Sequence, residues 1–242
     1  MKESDFNKIF GSIGFGFPQS IDELNEFNKT FENYKFEGNK NKINPKNILA
    51  NLKKTNPKIT KNDYHKRTVL AAEIVSKLHN ERTLGHLKLQ KLMYLCQNSI
   101  SMDLHTNFLK QAMGPYDPKL MRSIDKQLKD NKWFFYQTKE FPKYKIMERA
   151  GGHKQWFEIY FREQLFDIDY LIEKFRYATT NQIEIVATIF ACWKEIKDNK
   201  EIFSNELIIK KFYAWHKDKE KYERSRIINA IDWMTKENIY PI

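Results

Sequence analysis

Between Gly85 and Met147 the chain reads GHLKLQKLMYLCQ, then FLKQAMGPYDPKLMRSIDKQLKDNKWFFYQ, then YKIM. Apolar residues recur at helical spacing in the first stretch and again after the Gly-Pro pair. Two short aromatic-rich segments follow. This order, two helices and then a hairpin, predicts a winged helix-turn-helix, with the helix after Gly114-Pro115 as its exposed reading element. A chain committed to that pattern is mainly α with short β-hairpins, and units of this kind bind nucleic acid or protein.

The rest of the chain divides around that unit. Residues 1–60 form an N-terminal segment. It opens with Gly11, Gly14 and Gly16 set between Ile13, Phe15 and Phe17, and continues into SIDELNEFNKTFENY, where Leu24, Phe27, Phe31 and Tyr34 predict an amphipathic helix capped by Ser20. Residues 35–47 are polar, contain Gly38 and Pro45, and read as a linker. The winged-helix-like unit spans 61–152. Its first helix is expected from Asp63 to about His79, its second from His86 to Ile100, and a short strand over Asn107–Ala112 is broken by Gly114-Pro115. A third helix opens at Asp117-Pro118, with proline in its favoured first position. Trp133–Gln137 then pairs with Tyr144–Met147. Residues 153–242 form a second helical unit. Helices are expected after Thr179, after Ser204 and over Lys219–Lys236, with an edge strand at Asn238–Ile242. That order repeats the first unit and suggests a second winged-helix-like fold.

Charge indicates the class of partner. The net charge is +11 and the isoelectric point about 9.4, a field that favours DNA, RNA or an acidic protein. The excess is mostly Lys in a chain also rich in Asn and Ile, the default of AT-rich coding, so charge alone does not separate the two origins. Cys96 and Cys192 lie in apolar helical patterns and read as reduced, buried thiols of a cytoplasmic protein. The N-terminus lacks the order of a signal peptide, and no apolar run is long enough to span a membrane. No His or Cys cluster has metal spacing, and GSIGFGF lacks the Lys of a phosphate loop. No cofactor is expected. Asp167, Asp169 and Glu173 beside Lys174 are the only trace of a nuclease-like carboxylate group, and acids early in a helix are ordinary complements of its dipole. The chain is therefore read as non-enzymatic.

Three basic groups are candidate nucleic-acid contacts. Lys119, Arg122, Lys126 and Lys129 are spaced three, four and three, which puts them on one face of the third helix, opposite Leu120, Ile124 and Leu128. Lys139, Lys143 and Lys145 sit near the hairpin tip, where a wing meets phosphates, although edge strands also carry Lys to prevent pairing. Lys210, Lys211, Lys221, Arg224 and Arg226 belong to the densest basic run, interleaved with Tyr213, Trp215 and Tyr222. Tyr116 projects from the Gly-Pro corner as a candidate partner contact.

RTVLAAEIVSKLHNERTLGHLKLQKLMYLCQ with FLKQAMGPYDPKLMRSIDKQLKDNKWF resembles an accessory domain at the C-terminal end of some type I restriction-modification specificity subunits. More distantly it resembles the Panacea domain of antitoxins and phage-encoded proteins. The likeness covers about residues 60–165 and rests on the KLQKL-type helix and the Gly-Pro corner, which here are Lys88, Gln90, Lys91, Gly114 and Pro115. It implies a role in prokaryotic defence without catalysis. The partner would be duplex DNA or a protein: a toxin or a restriction-modification subunit. The paired target-recognition domains of a specificity subunit have no room in this chain. The alternative to DNA binding is an antitoxin-like module that neutralises or recruits a partner protein.

Overall fold

The computed structural model describes residues 60–138 and 142–241. The expectations for residues 1–59, and that for Lys139, lie outside these. Contacts gather 60–137 and 143–241 into one compact unit, to which every element named below belongs. It is mainly helical, with two small antiparallel strand pairs.

Helix α1 (Lys61–Leu78) starts one turn earlier than Asp63 suggested. Thr60 is its N-cap, and Asp63 is the third residue of a reciprocal capping box. Helix α2 (His86–Ser99) follows the turn at Glu81–Leu84. Strands β1 (Leu109–Gln111) and β2 (Gly114–Tyr116) pair antiparallel, Leu109 opposite Tyr116. The Gly-Pro corner is therefore a strand in its own right, not the end of one. In a two-stranded ribbon Pro115 can sit where no ladder donor is required. Asp117 caps helix α3 (Pro118–Asp130) by accepting from the backbone amides of Lys119 and Leu120. Strands β3 (Phe134–Gln137) and β4 (Lys143–Ile146) then pair, Tyr136 opposite Tyr144.

Helices α4 (Lys154–Phe161) and α5 (Leu165–Lys174) are joined by one turn of 3₁₀ helix. Helix α6 (Thr180–Asp198) opens with a second capping box, Thr179 with Gln182. Ser204 caps α7 (Asn205–Tyr213). The last helix, α8, runs from Arg224 to Lys236. Lys219–Lys221, expected to hold its start, belong instead to a separate 3₁₀ turn, Lys217–Lys221. Residues 238–241 form no strand, and Asn238 takes a left-handed backbone with φ 56°. The strand pair that a second winged-helix-like unit needs is absent among the described residues of 153–242.

One continuous core holds the unit together. Helix α2 is buried from His86 to Cys96 and α6 from Ile183 to Phe190, and the two pack against each other. Helices α1 and α5 pack on α2, helices α7 and α8 on α6, and β2 lies against both α2 and α6. Segments 61–152 and 153–242 thus share one interior. Among the described residues no helix is long and apolar enough to cross a membrane.

Gly114 marks the tightest approach in this interior. Its φ is +88°, and a Cβ there would lie 2.7 Å from Thr188 Oγ1 on α6. A side chain would meet both backbone strain and a clash. Gly114→Ala is expected to lower unfolding free energy by about 2–4 kcal/mol in urea titration, whereas Gly151→Ala, with open space around it, should lose only the cost of its positive φ. Equal losses at the two positions would show that the contact with α6 contributes nothing.

Candidate nucleic-acid interface

Helix α3 is the most amphipathic element of the fold. Leu120, Met121, Ile124 and Leu128 are buried. Lys119, Arg122, Lys126 and Lys129 are all exposed, and none has a carboxylate within ion-pair distance among the described residues. At about 1.5 Å per residue the four cations extend along roughly 15 Å of helix. Of the two acids on the helix, Asp130 is exposed at its last position and Asp125 is turned aside. His86 Nε2 lies 2.7 Å from one Asp125 carboxylate oxygen, and the Tyr144 hydroxyl donates to the other at 3.0 Å. His86 in turn stacks on Tyr136, ring centroids 3.7 Å apart. This cluster fixes α3 to the hairpin and leaves the exposed stripe of the helix basic.

The hairpin lysines lie elsewhere. Tyr144 points at α3, so its strand neighbours Lys143 and Lys145 face the other side of the ribbon. Lys143 is exposed and Lys145 half-buried.

The C-terminal basic run is dispersed rather than gathered. Lys211 pairs with Glu195 at 2.7 Å and Glu201 at 3.0 Å. Arg224 pairs with Glu206. Lys219 is fully buried against Glu184 at 2.7 Å. Lys210, Lys221 and Arg226 remain exposed, the last two beside the Tyr222 ring. Tyr222 is itself buried, so it offers no face on which a base could stack.

Two of the three carboxylates considered for a nuclease are ion-paired, and the third, Asp167, is exposed. Asp169 meets Lys77 at 3.1 Å, and Glu173 binds the Arg176 guanidinium through both oxygens. Among the described residues no three His, Cys, Asp or Glu side chains converge as metal ligands do.

The motif residues Lys88, Gln90 and Lys91 have no exposed surface at all. They satisfy the backbone of two distant turns. Lys88 Nζ donates to Thr83 Oγ1 at 2.7 Å, Arg176 O at 2.8 Å and Ala178 O at 2.9 Å, closing the link between α5 and α6. Gln90 clamps Asp117 from both sides: its amide donates to Asp117 O at 2.8 Å, and its oxygen accepts from Asp117 N at 3.0 Å. Lys91 Nζ donates to Pro115 O. Gly114 and Pro115 are buried against it, and Tyr116, half-buried, carries the Lys91 ammonium 5.7 Å from its ring centroid. Nothing local in the sequence signals this, because the acceptors lie tens of residues away. With the geometry described, comparison offers nothing further. No family model, curated protein or solved structure matches this chain.

Burial lowers the basicity of these amines. Lys88 is brought down to about 8, mainly by desolvation, with Arg176 adding repulsion and Glu81 opposing it. Lys91 is driven well below its ordinary value by desolvation, helped by Lys219 and opposed by Glu184. Between pH 8 and 10 the unfolded chain therefore holds more protons at Lys88 than the folded one does, and stability rises with pH. The slope from Lys88 is at most about 1.4 kcal/mol per pH unit. Urea titrations at pH 7.5, 8.5 and 9.5 should show Lys88→Met less stable at every pH, since it strands two buried carbonyls, and lacking part of the wild-type rise. A variant whose stability changes with pH in parallel with wild type would remove Lys88 as the cause.

Proposed function

We propose that this chain is a non-enzymatic DNA-binding or adaptor protein of a prokaryotic defence system, and that helix α3 is its duplex-binding element. The observation that carries the reading is the row of four exposed, unpaired cations on α3, with Asp125 drawn away beneath them. Their roughly 15 Å span is close to the ~12 Å width of the major groove. A helix seated there would place its end residues, Lys119 and Lys129, near the two bordering backbones, with Arg122 and Lys126 between. A winged-helix-like arrangement of α1, α2, α3 and the β3–β4 hairpin fits this use, and the likeness to restriction-modification and antitoxin domains supplies the biological setting. Phosphate contacts of this number give affinity that is strongly salt-dependent and largely indifferent to sequence.

Four phosphate contacts predict a slope of about −3.6 in a plot of log affinity against log salt. That corresponds to a loss of roughly a hundredfold between 50 and 200 mM salt. Fluorescence anisotropy with a labelled duplex should give this slope for the full chain. Replacing Lys119 and Lys129 with Gln should lower its magnitude by about 2. Lys211→Gln, at a residue occupied by two glutamates, should leave it unaltered. Binding that ignores salt, or that survives loss of all four α3 cations, would end the proposal.

A further inference from the structure

A second surface lies on the opposite flank of the sequence. Helices α6 and α8 pack together, yet between them and the α5–α6 turn a groove of about 500 Å³ stays open. On α8 it is lined by Arg226, Asn229, Ala230 and Trp233, which are positions i, i+3, i+4 and i+7 of one helical stripe. On α6 it is lined by Gln182, Ile185 and Val186, again one stripe. Phe175 and Ala178 complete the floor. Ala178 and Ala230 are the reason for the gap: larger side chains there would fill it. The wall formed by the α5–α6 turn is held in place by Lys88, which accounts for the two backbone carbonyls at 176 and 178.

The lining contains no acid. Its two cations are not equivalent. Lys174 is paired with Glu237 at 2.5 Å. Arg226 is exposed, with no carboxylate within ion-pair distance among the described residues. Tyr177 stands at the mouth, 79% exposed. A nucleic acid would find one available cation above an apolar floor, which is a poor match to a charge at every phosphate. Two helical stripes flanking an apolar trough, with arginine and carboxamides on the rim, match a third helix.

We infer that this groove docks an acidic amphipathic helix from a partner protein. Aliphatic or aromatic residues at i, i+3 or i+4, and i+7 would enter between α6 and α8, and a carboxylate would meet Arg226. The inference gives chemical content to the expectation of a protein partner and does not depend on DNA binding by α3.

The probe is a displayed library of random peptides of about 18 residues, five helical turns, panned against the full chain at about 0.15 M salt. Enriched peptides should carry apolar anchors at helical spacing and a net negative charge. Arg226→Glu and Asn229→Glu, both surface changes, should each weaken them at least about tenfold. Ala230→Trp, which fills the trough, should do the same while urea unfolding reports that it still folds. Replacing all four α3 cations with Gln should leave peptide affinity unchanged, which separates groove binding from attraction to the basic helix. Enriched peptides that are neutral or basic, but are still displaced by Ala230→Trp, would overturn the acidic-helix assignment and leave a docking role. Peptides insensitive to all three groove variants, or no enrichment, would overturn docking there altogether.

Discussion

The interior of this protein depends on cationic and amide side chains doing the work of backbone partners. Two segments outside the helices, Gly114–Asp117 and Arg176–Ala178, have carbonyls turned inward, the first in the interior and the second part-buried. Gln90 and Lys91 satisfy the first turn, and Lys88 the second. A buried carbonyl without a donor costs about 1–3 kcal/mol, so the three residues remove a penalty that would rival the whole stability of a domain of this size. Because they occupy successive faces of one helix, they also fix where α3 and α6 begin relative to α2. The KLQKL pattern and the Gly-Pro corner are thus two halves of one contact, with Gly114 required because Thr188 and Lys91 leave no room for a side chain.

A second buried group extends this arrangement. Lys219 reaches in from the 3₁₀ turn to Glu184 and Thr188, beside the Lys91 amine. Burial holds the Lys91 amine well below its ordinary basicity, helped by the repelling Lys219 and opposed by Glu184. Lys91 donates to Pro115 O, so the corner keeps its hydrogen bond inside this group.

Much of the fold was legible because helix ends announce themselves. Asp117-Pro118, Thr179 with Gln182, and Ser204 all cap where their side chains suggested. The hairpin was legible from its two aromatic-rich segments, whose strands fall within one residue of the expected ends. The misreadings share one cause: a residue's usual environment was assumed where a distant partner reversed it. Lysine rarely buries, yet Lys88 and Lys91 do so because their backbone acceptors lie 24 to 90 positions away in sequence. Lys219 looked like the start of a surface helix, but Glu184 draws it inward and ends the turn, so α8 must restart at Arg224. Gly114-Pro115 looked like a strand breaker, which holds only in sheets with neighbours on both sides.

The same reversal separates basic residues that face outward from those that merely occur near one another. A run such as Lys210 to Arg226 is dense in sequence but spreads over two helices and a 3₁₀ turn, where Glu184, Glu195, Glu201 and Glu206 meet Lys211, Lys219, Lys221 and Arg224. On α3 the cations are fewer, but a single helix orders them; of its two acids Asp130 lies exposed at the last position, while Asp125 faces His86 and Tyr144. A polyanion responds to field at its own spacing and not to composition. The sparser helix is therefore the stronger electrostatic surface, and its strength rests on where one aspartate points.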